Sequence, residues 1–117
     1  MGRSVLVYDP DLLFSSRVES ACVKSGLDVR VVVTMTALTF ALKGSTPEVL
    51  IVNLDALGED GKTLVGSVHA KCRLVGYYSH ADSKLAADAL ASGFSVAVPR
   101  RAFADTLKEI IADVRSS

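Results

Sequence analysis

The chain contains no tryptophan, and its only rings besides those of its two histidines and three prolines are three tyrosines and four phenylalanines. Aliphatic side chains must therefore fill most of any core. Two cysteines, Cys22 and Cys72, are too few for a disulfide framework, and reduced thiols are expected, with one disulfide as the alternative. Net charge is also missing, since thirteen Lys and Arg balance thirteen Asp and Glu. Nothing global then favours nucleic acid or an anionic membrane. The longest apolar runs fall far short of a bilayer span. Arg3 leads into a short apolar run that stops at Asp9, which is not a secretory signal, and Leu6 stands where a myristoylation signal has Ser or Thr. A cytoplasmic location is expected. Neither Gly-x-Gly-x-x-Gly nor a P-loop occurs, so nucleotide binding has no support.

What the chain does have is apolar mass: 50% hydrophobic and 22% charged residues, with a mean hydropathy of +0.36. That balance suits a layered core and not a disordered chain. Residues 1–117 are expected to form one domain, which hides roughly two-thirds of the unfolded chain's surface. Apolar runs of strand length alternate with stretches of helical period. The strands are predicted at Ser4–Tyr8, Asp28–Val33, Glu48–Val52, Leu74–Tyr78 and Ser95–Val98. The helical segments are predicted at Leu12–Ser25, Thr36–Lys43, Lys62–Lys71, Ser83–Ser92 and Phe103–Val114. Gly26, Gly44 and Gly93 are expected to stop three of these helices in the left-handed conformation. Phe103, Leu107, Ile110, Ile111 and Val114 form one stripe at helical spacing, the mark of a docked amphipathic helix.

Strands without polar alternation are covered on both faces, as in a parallel sheet. The expected fold is an α/β, doubly wound, five-stranded parallel sheet of (βα)5 type. In such sheets function gathers beyond the carboxyl ends of the strands. The residues there are Asp9, Pro10 and Asp11; Asn53 and Asp55; Ser79 and His80; and Pro99, Arg100 and Arg101.

This set resembles the receiver domain of bacterial two-component response regulators, along essentially the whole chain. The resemblance implies a flavodoxin-like or receiver-like strand order, 2-1-3-4-5. In that family a phosphate-accepting aspartate ends the third strand, and eight residues later a glycine closes a loop of the form Pro-Gly-x-Asp-Gly. The segment PEVLIVNLDALGEDG aligns without a gap, with Gly58, Asp60 and Gly61 on the loop and Leu57 replacing its proline. Asn53 falls on the acceptor. Ser79 stands where the family has Thr or Ser, Arg100 where it has lysine, and Asp9 followed by Pro10 where it has an acidic pair. Ala97 replaces an aromatic that couples to the output face, and Arg101 stands where a proline usually follows a cis bond. A trans Arg100–Arg101 bond is expected.

The departures govern the functional expectation. Phosphoryl transfer to a carboxylate needs a nucleophilic oxygen, a divalent cation held by carboxylates, and a cation for the developing charge. Asn53 offers a neutral amide, and Pro10 lacks a carboxylate. Arg100 brings a planar fork that cannot lose its proton. The resemblance therefore implies a pseudo-receiver that needs no cofactor or metal, is not an enzyme, and acts as a protein-interaction module. It implies a protein partner in a signalling pathway, or a homodimer through the fourth helical segment, the fifth strand and the last helix. Asp9 and Arg100 are expected to pair directly over Asn53, whose amide donates to Asp9 and whose oxygen accepts from Arg100. One rival is a receiver phosphorylated at Asp55. The other is a small ligand-binding or enzymatic protein using the crevice around Asn53, Ser79 and Arg100.

Other constellations have plainer readings. Asp11 is expected to be a helix N-cap. His69 and Cys72, three apart, read as a surface helix end before a metal pair. Ser79 and His80 lack a nucleophile elbow. Tyr77 and Tyr78 read mainly as core, with the hydroxyls as the part that could reach the crevice. Arg100 and Arg101 could form a small anion site, against a local salt bridge for the first and a solvated side chain for the second. A flavodoxin would need hydroxyl and glycine residues where Asp9, Pro10 and Asp11 stand.

Overall fold

Strand β3 (Val49–Asn53) is buried at every position, which is why its sequence reads as an unbroken apolar run. It lies at the centre of a parallel sheet ordered β2-β1-β3-β4-β5, flanked by β1 (Ser4–Tyr8) and β4 (Arg73–Tyr78), with β2 (Asp28–Val32) and β5 (Val96–Pro99) at the edges. The structure, a computed structural model, describes residues 4–58, 61–68, 71–79 and 84–116, and only the backbone of residues 61 and 62. Helices α1 (Leu12–Lys24), α2 (Met35–Gly44), α3 (Leu54–Leu57), α4 (Gly61–Ser67), α5 (Lys84–Ser92) and α6 (Phe103–Ser116) complete the described elements, with a 3₁₀ turn at Arg100–Ala102. Among the described residues no helix is long and apolar enough to cross a membrane.

Strand parity divides the core into two layers. Val5, Val7, Val49, Ile51, Val75 and Tyr77 face α1 and α6, meeting Val18 and Cys22 of the former and Phe103, Leu107, Ile110 and Val114 of the latter. The alternate residues Leu6, Tyr8, Leu50, Val52 and Leu74 face α2 to α5, meeting Leu38, Leu54, Leu57, Leu64 and Ala89. The expected stripe of the last helix is the one that docks.

The five strands and the five long helical segments stand where the periodicity placed them, with shifts at their ends. One prediction fails at Gly44. It lies inside α2, and the chain leaves through Ser45 in extended backbone (φ −164°, ψ 158°). Thr46 precedes Pro47, and a residue before proline is driven to extended backbone, so no left-handed reversal is needed. Gly26 and Gly93 do end their helices at positive φ. Each sits in a Schellman motif, closed by Leu27 N–H on the Cys22 carbonyl and by Phe94 N–H on the Ala89 carbonyl, both at 3.0 Å. The third predicted helix ends at Ser67, short of Lys71.

Helix α3 was not anticipated, because its four residues are too few to show a period. It exists because the Asn53 side chain caps it and Gly58, at φ +59°, ends it. Its Leu54 lies over the bare backbone of Gly76 in β4, where an added Cβ would come within 2.8 Å of Leu54 Cγ, Cδ1 and Cδ2. This contact seats the turn that follows Asn53. Gly76→Ala should cost about 1–3 kcal/mol by overpacking, and Leu54→Ala about 2–5 kcal/mol by leaving a cavity. Urea melts of both variants and their combination should show a double loss smaller than the sum. Additive losses would mean that the two residues do not share the space.

Candidate functional site

Asp9 is the pivot of the carboxyl-end crevice and has no solvent exposure. Its backbone N–H donates to the Val32 carbonyl at 3.2 Å, carrying the β1–β2 pairing one residue past the strand. Its Oδ1 accepts from the Asp11 backbone N–H at 2.9 Å and from Asn53 Nδ2 at 2.8 Å. Its Oδ2 accepts a short hydrogen bond from the Tyr77 hydroxyl. The register pairs Asn53 with Tyr77 across β3 and β4, so both side chains leave their strands at the same height. Burial, and then the bond to Asp9, hold the Tyr77 hydroxyl protonated far above the ordinary tyrosine range.

Asn53 is engaged at both ends. While Nδ2 serves Asp9, Oδ1 accepts from the backbone N–H groups of Asp55 (3.0 Å) and Ala56 (3.3 Å). Only this orientation works, because a reversed amide would set oxygen against a carboxylate and NH2 against two N–H donors. An aspartate at 53 would keep the cap but place a second carboxylate against Asp9.

Arg100 closes the crevice from β5. Its Nη1 donates to Asp11 Oδ2 at 2.9 Å, whereas Nη2 only reaches within 4.0 Å of Asp9 Oδ2. This corrects two expectations: the guanidinium's hydrogen-bonded partner is Asp11 and not Asp9, and the Asn53 oxygen accepts from the α3 backbone and not from Arg100. Asp9 already accepts from three smaller donors. The guanidinium carbon sits over the Phe14 ring, 4.5 Å from its centroid, which brings Arg100 to the start of α1. Asp11 is also the N-cap, as expected, accepting from the N–H groups of Leu13 (3.1 Å) and Phe14 (3.3 Å). The Phe14 N–H and then Arg100 hold its carboxyl below the ordinary 3.8.

The structure thus gathers Asp9, Asp11, Asn53 and Arg100, adding Tyr77 and Phe14, and leaves Pro10 exposed beside them. Tyr77 is both core and crevice: its ring stacks 4.8 Å from Phe14 and 4.8 Å from Phe103, while its hydroxyl reaches Asp9. Tyr78 packs half-buried in the opposite layer. Ser79 belongs to a neighbouring contact, donating from N (2.7 Å) and Oγ (3.0 Å) to Asp55 Oδ2. Ala97 lies half-buried in β5 beside Gly76. Arg101 is exposed, and among the described residues no peptide bond is cis. Cys72 is not at a surface helix end; it is buried just before β4, and burial pushes its thiol up to about 11, as it does for Cys22. His69, His80 and Asp60 lie outside the described residues.

A hard divalent cation does not fit this donor set. It needs several anionic oxygens, whereas both Asp9 oxygens already accept hydrogen bonds and the Arg100 guanidinium holds Asp11 and stands beside Asp9. Among the described residues no three His, Cys, Asp or Glu side chains form a metal-sized group.

No family model matches the chain, and no curated protein does. Solved structures do match. The fold is that of response-regulator receiver domains. A response regulator from Thermotoga maritima superposes over the whole of both chains with TM-score 0.79 and 20% identity. One from Burkholderia pseudomallei, which carries a phosphorylated aspartic acid and a calcium ion, matches 97% of this chain and 71% of its own, with TM-score 0.75 and 16% identity. NtrX from Brucella abortus matches 97% of this chain with 26% of its own, at TM-score 0.82 and 17% identity. The five parallel strands in order 2-1-3-4-5 are those the sequence implied.

Two outcomes follow from this receiver-fold crevice. Tyr77→Phe removes a donor from a buried carboxylate and should lower the unfolding free energy by about 1–3 kcal/mol in urea melts. Because the folded-state pKa of Asp11 is depressed, its contribution is present above the unfolded value and is lost as pH falls through the folded one. Asp11→Asn should therefore flatten the loss of Tm below about pH 4. An unchanged acid limb would remove Asp11 from the account.

Proposed function

We propose that the chain is a pseudo-receiver: a domain of receiver fold that works as a phosphorylation-independent protein-interaction module in cytoplasmic bacterial signal transduction, with no catalytic activity of its own. The observation that carries this reading is Asn53, a neutral amide at the acceptor position, locked by Asp9 on one side and by the N-terminus of α3 on the other. Such a group has neither the charge nor the freedom to attack phosphorus. With three donors already on Asp9 and Arg100 beside it, the crevice disfavours the cation that phosphoryl transfer would use.

Phosphorylation at Asp55 is the weaker reading, because its Oδ2 is already spent on tying Ser79 to the turn after β3. A small-molecule site around Asn53 and Arg100 is weaker too. An open groove of about 850 Å³ lies away from them, between α3 and α5, lined by Leu54, Leu57, Leu85, Ala89 and Phe94. The partner is a protein, and neither nucleic acid nor membrane is invoked. The contact face, for that partner or for a second copy, is α5, β5 and α6, where small Ala97 and half-exposed Leu90 stand. With no aromatic at 97, association there is constitutive.

The test is incubation with acetyl phosphate and magnesium, read by intact mass. No phosphate should be gained, and Asn53→Asp alone should not restore efficient labelling, since Pro10 still lacks a carboxylate, Tyr77 still donates to Asp9 and Arg100 stays in place. A stoichiometric phosphate that disappears in Asp55→Ala would replace this reading by its rival.

A further inference from the structure

The Arg100 side chain, 27% exposed, is flanked by aromatic rings and carboxylates. Phe14 lies beneath it at 4.5 Å and the Tyr77 ring stands 5.7 Å away, so two aromatic faces meet the cation. Asp11 Oδ2 takes one edge at 2.9 Å, and Asp9 Oδ2 lies 4.0 Å from another nitrogen. Phe14, Tyr77 and Asp9 are held by other residues, and Asp11 by its capping bonds together with Arg100. Tyr77 and Phe103 are fully buried and brace Phe14; Asp9 is pinned by Asn53 and Tyr77, and Asp11 by its capping bonds. The occupant, by contrast, fits imperfectly. Its Nε is buried with no hydrogen-bond partner, a consequence of its tether to β5.

We infer that Phe14, Tyr77, Asp9 and Asp11 form a built seat for a planar organic cation, which the chain fills with its own Arg100. The ligand class it would take from outside is an alkylguanidinium, the side chain of arginine. Flat, weakly hydrated guanidinium suits aromatic faces and a carboxylate edge together. A magnesium ion, which holds its water and seeks octahedral oxygen, gains nothing from the aromatic wall. The inference rests on the pseudo-receiver reading only in excluding the divalent cation.

Emptying the seat tests it. In Arg100→Ala, methylguanidinium should raise Tm with the logarithm of its concentration, by about 5 °C at ten times its Kd. Millimolar amounts lie far below the molar range in which guanidinium denatures. The intact chain, whose seat is filled, should not respond, and Phe14→Leu in the Arg100→Ala background should abolish the rise. An equal response of both chains, or a rise with magnesium chloride and none with methylguanidinium, would overturn the seat. Should Arg100→Ala not fold, proton NMR of the intact chain decides: the Arg100 δ-methylene protons should be shifted upfield by the Phe14 ring and return in Phe14→Leu. Unshifted protons would overturn it. A failed rescue leaves the phosphate-labelling result untouched, so the two readings fall separately.

Discussion

A carboxylate with no exposure survives in a fold only where donors surround it, and the carboxyl end of this sheet is organised around that requirement at Asp9. The Asp11 backbone, the Asn53 amide and the Tyr77 hydroxyl supply the donors. Three strand ends and the start of α1 are thereby tied to one pair of oxygens. Because each donor is neutral, the charge of Asp9 is spread over several dipoles, and Arg100 complements it from 4.0 Å without a direct hydrogen bond.

That arrangement ties the residues of the crevice to one another as a unit. Asn53 matches Asp9 because it donates where an aspartate would repel, and the oxygen left over caps α3. Tyr77 donates to the other oxygen of Asp9. Arg100 lies beside them, over Phe14 and held by Asp11.

The opposite layer shows how size complements charge. Leu54 follows Asn53 and needs the room left by Gly76, whose strand neighbour Ala97 is also small. The turn after β3 is fixed by this contact and by the Asn53 cap. Asp55 is thereby placed where it holds Ser79. Electrostatics on one face of the sheet and packing on the other position the same few residues.

The sequence by itself determined the architecture, because unbroken apolar runs such as Val49–Val52 and the stripe from Phe103 to Val114 follow from local periodicity. It also determined the chemical character of the crevice, since side-chain type alone makes Asn53 a poor nucleophile and Arg100 a permanent cation. Tertiary structure alone decided who pairs with whom. Tyr77 reaches Asp9 because the β3–β4 register sets it beside Asn53, and register is not written in either strand. Arg100 turns to Asp11 because Phe14, a turn into α1, supplies a surface to lie on. Helix α3 and the enclosed thiol of Cys72 were equally hidden: a four-residue helix has no period, and burial depends on neighbours distant in the chain.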